Sequence, residues 1–137
     1  MSEITPHRER LRIARMFVDR NYDSPITVEQ ISNEAGFSTY HFIRLFHAVY
    51  RQTPHQYLMQ QRIEKAKDML RSTALPIIDI CYAVGFESLG SFSTLFRREA
   101  GLSPSSYRLR ASRPAQPTFI PLCYRVKHGL SQTPDSE

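Results

Sequence analysis

The sequence predicts an all-α chain of about seven helices, arranged as two helix-turn-helix subdomains joined by a long linker helix. Three observations carry that prediction. Apolar residues recur at helical spacing through residues 1–110, with no convincing strand pattern there. Glycine, proline and capping residues fall between these runs, where helices end and begin. The chain also repeats itself at an offset of 49 to 50 residues.

Each element follows from local chemistry. The first helix is expected over residues 7–22, with Leu11, Ala14 and Val18 on one face, Phe17 and Tyr22 beside them, and arginine on the other. Asp23-Ser24-Pro25 breaks it. Thr27-Val28-Glu29-Gln30 has the capping-box pattern and opens a short helix to Ala35. Gly36 ends that helix, because a left-handed C′ residue is least strained as glycine. Ser38 caps a helix to about Tyr50. Thr53-Pro54 opens the long helix, with Pro in the first turn where its missing N–H is harmless. That helix runs to about Arg71 with Met59, Ile63, Ala66 and Leu70 on one face, and residues 72–76 end it. A short helix follows over about 77–84, stopped by Gly85. Ser88 caps the next, to about Ala100, and Gly101 stops it. Ser103-Pro104 opens a last short helix through Tyr107.

The expected organisation is a domain over residues 1–110, divided into a first subdomain (7–52), a linker helix (53–72) and a second subdomain (73–110). Residues 111–137 read as a Pro-rich tail, although Phe119-Ile120-Pro121-Leu122-Cys123-Tyr124 is apolar enough to dock on its own domain or on a partner.

Composition bounds the function. A chain of 137 residues is too short for a Rossmann enzyme with a substrate domain or a full (β/α)₈ barrel. There are 18 Lys+Arg against 13 Asp+Glu, for a net charge of +5. Only Lys65, Lys67 and Lys127 are lysine; the rest are arginine, which suits bidentate contacts to phosphate and guanine. Residues 1–110 hold 15 of the cations and 11 of the acids, too small an excess to bind polyanions by bulk charge alone. The two cysteines, Cys81 and Cys123, form no zinc or disulfide framework, and a reducing, cytoplasmic setting is expected. No signal peptide or membrane-spanning stretch is apparent, and His41, His47 and His55 lack metal spacing. No cofactor is expected, and no membrane partner.

The repeat is more specific than the charge. Ile31, Gly36 and Phe37 match Ile80, Gly85 and Phe86 at 49 residues. Phe42, Leu45, Phe46, Pro54 and Tyr57 match Phe92, Leu95, Phe96, Pro104 and Tyr107 at 50. Each copy places a small residue (Ser32, then Cys81) in the helix before a Gly turn, as two steeply crossing helices require. One helix-Gly-helix is a weak signal; two at matched positions are a strong one.

The stretches GFSTYHFIRLFHAVYRQTPHQYLMQQRIEKAKDML and PIIDICYAVGFESLGSFSTLFRREAGLSPSSYR resemble the DNA-binding domain of the AraC/XylS family of bacterial transcription regulators. The resemblance covers about residues 7–110. It implies a homeodomain-like fold in which each unit inserts a recognition helix into one of two successive major grooves on one face of double-stranded DNA. It also implies a regulator, an activator that contacts RNA polymerase, and no separate effector domain, as in the family's short stand-alone members.

The first recognition helix presents Thr39, Tyr40, Ile43, Arg44 and His47 opposite Phe42, Leu45 and Phe46. The resemblance places base reading at Tyr40, Ile43 and Arg44, with Arg44 the residue suited to a bidentate guanine contact. The second presents Leu89, Gly90, Ser91, Ser93, Thr94 and Arg97, with few long hydrogen-bonding side chains; the resemblance puts Thr94 where many members of the family carry Arg. The first head is therefore expected to supply most base specificity, and the second phosphate contacts and shape. Ser38 and Ser88, at helix N-termini, are phosphate donors as well as caps. Arg62, Arg97, Arg98 and Arg108 are generic phosphate candidates. Two unlike heads on one chain imply a monomer on an asymmetric site.

The competing classes are weaker. A methyl-transfer repair enzyme of the Ada type needs a zinc-bound acceptor cysteine in an added domain, which neither the cysteine pattern nor the length provides. A non-specific architectural DNA binder would be indifferent to sequence at fixed salt. A protein-interaction module would work through residues 119–124. The expectation is not an enzyme.

Overall fold

The computed structural model describes residues 4–112. These form α1 (Ile4–Asn21), α2 (Val28–Ala35), α3 (Thr39–Tyr50), α4 (Pro54–Ser72), α5 (Ile77–Ala83), α6 (Leu89–Ala100) and α7 (Pro104–Ser112), with no strand among the described residues. The all-α expectation holds. Of the expected tail, residues 111–112 belong to α7; the rest, including residues 119–124 and Cys123, falls outside the described residues. No described helix is long and apolar enough to cross a membrane.

The caps explain where the helices start. Thr27 Oγ1 accepts from the Gln30 N–H (3.1 Å) while Gln30 Oε1 accepts from the Thr27 N–H (2.9 Å). Thr53 and Gln56 make the same reciprocal pair at the start of α4, with Pro54 in the first turn. Each cap satisfies donors the helix leaves open and contributes about 1 kcal/mol. Two ends differ from the sequence reading by more than a residue. The first helix begins at Ile4 rather than residue 7. The last runs to Ser112 rather than ending at Tyr107, because no residue from 108 to 112 breaks a helix and Arg108 anchors it. Arg108 Nε and Nη2 donate to the carbonyls of Leu70 (3.2 Å) and Thr73 (3.1 Å), at the open C-terminal end of α4.

Two cores form. The first gathers Leu11, Ala14, Val18, Ile31, Phe42 and Phe46 of α1–α3 with Tyr57 and Leu58 from the start of α4. The second gathers Ile63, Ala66 and Leu70 from the rest of α4 with Ile80, Cys81, Phe92 and Phe96 of α5 and α6. The linker helix is therefore not a spacer between finished subdomains: its first half completes one core and its second half begins the other. Tyr22 and Met59 pack against both.

This division exposes a wider repeat than the one legible from Ile31 onward. Arg10, Leu11, Ala14 and Val18 of α1 correspond to Arg62, Ile63, Ala66 and Leu70 of α4, all at an offset of 52. Each unit has three helices, α1–α3 and α4–α6, closed by a proline-started helix. Tyr57 closes the first unit by donating to Asp19 Oδ1 (2.7 Å); Tyr107 closes the second by accepting from Arg71 Nη1 (2.7 Å). Where Gly101 takes a left-handed φ of 82° after α6, the equivalent residue after α3 is Arg51 at φ 62°. A left-handed non-glycine costs roughly 1–2 kcal/mol.

Candidate nucleic-acid interface

The two recognition helices present their outward faces because their phenylalanines point in. On α3, Phe42 and Phe46 are buried, which rotates Tyr40 (71% exposed), Ile43 (36%), Arg44 and His47 to the surface. Tyr40 and Arg44 are one turn apart and meet: Arg44 Nη1 donates to Tyr40 Oη at 3.2 Å, with the guanidinium 5.6 Å from the ring centroid. This uses one of the five guanidinium donors and orders the side chain without consuming its fork.

Thr39 sits differently from its neighbours. It is half-buried, with Oγ1 3.2 Å from Ser32 Oγ. Ser32 already donates its one hydroxyl proton to the Glu29 carbonyl (2.9 Å), so Thr39 is the donor in the pair. Its hydroxyl ties the start of α3 to α2.

On α6, Phe92 and Phe96 are buried, while Leu89 (40% exposed), Gly90, Ser91, Thr94 and Arg97 reach the surface and Ser93 is half-buried. The offset of 50 puts Gly90, Ser93, Thr94 and Arg97 where α3 has Tyr40, Ile43, Arg44 and His47. The second head therefore lacks the tyrosine–arginine pair of the first. A side chain on Gly90 would meet nothing within 4 Å. Ser93, Thr94, Arg97 and Arg98 line a shallow, open depression on this helix.

Both helices begin at serine. Ser38 Oγ accepts from the His41 N–H (3.3 Å), and Ser88 Oγ from the Ser91 N–H (3.1 Å). Each hydroxyl keeps its own proton to donate, beside first-turn N–H groups that carry the positive end of the helix dipole.

Two of the four generic phosphate candidates are corrected. Arg62 is 7% exposed; its Nε and Nη2 donate to the carbonyls of Tyr22 (2.6 Å) and Ser24 (2.9 Å). Burial lowers the pKa of its guanidinium, partly offset by Glu87 and Asp23. Arg108 is committed to the end of α4, as described above. Arg97 and Arg98 are exposed. Asp79 is exposed and Cys81 fully buried; burial pushes the Cys81 thiol up, away from the reactive thiolate.

Sequence reasoning missed the residues that hold the turns in place. Arg10 Nε donates to the Ala35 carbonyl (3.0 Å) and Nη2 to that of Gly36, with the guanidinium 4.2 Å above Phe37. It clamps the turn of the first unit. The only sequence signal for Arg10 and Arg62 is the offset of 52 that pairs them.

A helix-turn-helix domain model matches residues 31–110. The regulatory protein SoxS of Salmonella typhimurium is 34% identical over 104 residues, covering 76% of this chain and 97% of SoxS. The chain belongs to the AraC/XylS family. Like other AraC/XylS proteins, it is a sequence-specific DNA-binding transcription regulator. The crystal structure of a transcriptional regulator from Chromobacterium violaceum, with an AraC-type DNA-binding domain, superposes with a TM-score of 0.73 at 26% identity, covering 78% of this chain and 96% of that one. The DNA-binding domain of AdpA, solved with a target DNA, shares the fold: its TM-score is 0.70 at 23% identity, covering 88% and 97% of the two chains.

Proposed function

We propose that this AraC/XylS protein binds double-stranded DNA as a monomer and reads an asymmetric site with α3 and α6 in successive major grooves. The observation that supports this most is the pairing of two like-built units with unlike exposed faces: Tyr40, Ile43 and Arg44 on one, Gly90, Ser93 and Thr94 on the other. A symmetric dimer reads a palindrome; two different heads on one chain read two different half-sites.

Helix α4 has 19 residues and is about 28 Å long at ~1.5 Å per residue. Major-groove faces recur every ~34 Å. Heads set closer than that draw the duplex into a bend, at a cost on the order of 1–6 kcal/mol that depends on sequence and adds indirect specificity. In the first groove Arg44 forks onto guanine while Tyr40 and Ile43 pack on thymine methyls; Thr39 and His47 flank them. In the second, Leu89, Gly90, Ser91, Ser93, Thr94 and Arg97 fit the groove by shape and backbone contact. Ser38 and Ser88 donate to phosphates at the two helix starts. The protein activates transcription from the bacterial cytoplasm by contacting RNA polymerase. It catalyses no reaction, and no cofactor or metal takes part.

Hydroxyl-radical footprinting on a duplex selected from a random library tests this, together with sedimentation of the complex. The expected result is two protected patches on one face about one helical turn apart, with one protein per duplex. A single patch, or two proteins per palindromic site, contradicts the reading.

A further inference from the structure

We infer that Arg62 is the residue that locks the two reading heads at a fixed separation, and so sets the base-pair spacing the protein accepts. Its DNA consequence rests on the function proposed above; its structural consequence does not.

The argument starts from the internal repeat. Arg10 and Arg62 occupy the same position in the first helix of their units, and each lies against its unit's Gly-Phe turn. A Cβ added to Gly36 would meet Arg10 Nη2 at 2.8 Å, and one added to Gly85 would meet Arg62 Nε at 2.8 Å. Arg10 lies over Phe37 at 4.2 Å and Arg62 over Phe86 at 5.8 Å.

Their hydrogen bonds diverge. Arg10 donates to Ala35 and Gly36, within its own unit. Arg62 donates instead to Tyr22 and Ser24, in the α1–α2 connection of the other unit. The residue that closes a turn in the first unit thus bridges between units in the second. Three chain segments converge on it: α4, which carries it; the first unit's connection, which supplies both carbonyls; and the second unit's turn at Gly85 and Phe86. The Tyr22 carbonyl also comes within 2.8 Å of where a Gly85 Cβ would stand, so the two units touch backbone to backbone beside the guanidinium. Tyr22 contributes to both cores, and Lys65 lies 5.7 Å over its ring.

Charge-assisted bonds to two carbonyls are directional, and burial shields them from competing water. Helix α4 fixes the distance between heads along its own axis but leaves bending and twist about it. A fork anchored in the opposite unit restrains those. On DNA one base pair is a step of ~3.4 Å and a turn of roughly 35°, so a small loss of restraint changes which spacings fit.

Two readouts on the whole 137-residue chain test this. The first needs no DNA. Spin labels at Glu34→Cys on α2 and Ser105→Cys on α7, in a Cys123→Ser background, report the distance between units. Arg62→Met, which keeps length but donates nothing, is expected to broaden the distance distribution, and Arg62→Lys, which keeps one donor at a time, to recover part of the narrow peak. An unchanged distribution in a folded Arg62→Met overturns the proposal. The second compares a selected duplex with versions carrying one base pair inserted or removed between half-sites. Wild type is expected to lose on the order of 30-fold in affinity, and Arg62→Met under about fivefold relative to its own best site. Equal spacing penalties in the two proteins overturn it. Binding of a duplex carrying the first half-site alone is expected to be the same in both, which separates loss of restraint from unfolding. If wild type itself shows no bipartite site while the label distribution still broadens, the DNA reading fails and the lock stands.

Discussion

Gly85→Ala is expected to destabilise the protein by about 2–4 kcal/mol, and Gly36→Ala by only about 1–2 kcal/mol, although both glycines sit at the same point of their repeats. Both have left-handed φ, 105° and 80°, so an alanine at either carries the steric cost of that conformation. The difference lies in what a Cβ would meet. At Gly36 its neighbours are atoms of the Arg10 guanidinium, the far end of a flexible side chain that can withdraw. At Gly85 it would meet the Tyr22 carbonyl oxygen at 2.8 Å as well as buried Arg62. Backbone cannot rotate away without breaking the Arg62 bonds and opening the contact between units. Urea unfolding of the two variants, followed by far-UV circular dichroism, measures the difference. Equal losses would show that the close approach of the Tyr22 carbonyl imposes no constraint.

Arg44→Ala is expected to weaken specific binding by about 1–3 kcal/mol, roughly 5- to 150-fold, with melting unchanged within about 0.5 kcal/mol. The side chain is exposed, and it donates to the exposed Tyr40, so its loss leaves no buried group unsatisfied. The discriminating signature is the pattern of the loss. Arg44→Ala should flatten the preference at one base pair of the first half-site. Arg97→Ala should weaken binding of all sequences alike and reduce the salt slope by about one. Titrations against the selected site and its single substitutions, each at several salt concentrations, distinguish the two. A uniform loss for Arg44→Ala would move it from the bases to the backbone.

What the sequence made legible is what depends on near neighbours. Thr27 with Gln30, Ser38, Ser88 and the glycines of the turns act within a few residues, so their spacing announced the helix ends. The phenylalanines at 42, 46, 92 and 96 fixed the buried faces, and the outward faces of α3 and α6 followed by geometry. What stayed hidden depends on contacts across the chain. Arg62 and Arg108 look like any other arginine on a mixed helix, yet each reaches carbonyls 35 to 40 residues away. Long aliphatic stems allow that reach, and no local pattern records it. The kinship of α1 and α4 was masked because the connection from Val18 to Ile31 is longer than that from Leu70 to Ile80, which shifts the offset from 52 to 49. Arg51 gave no sign of a left-handed backbone on its own; only comparison with Gly101 at the matching position raises it. In the sequence Thr39 reads as one more outward polar residue, yet its hydroxyl lies on Ser32.

The most direct test of the account is a substitution scan of every base pair in the selected site, with affinity measured at fixed salt. The account predicts two blocks of sensitivity one helical turn apart. The block under α3 should cost about 1–3 kcal/mol per wrong base pair, and the block under α6 distinctly less. Equal or greater sensitivity under α6 would contradict the division of labour between the heads, and a flat profile would contradict the reading of a bipartite, sequence-specific site altogether.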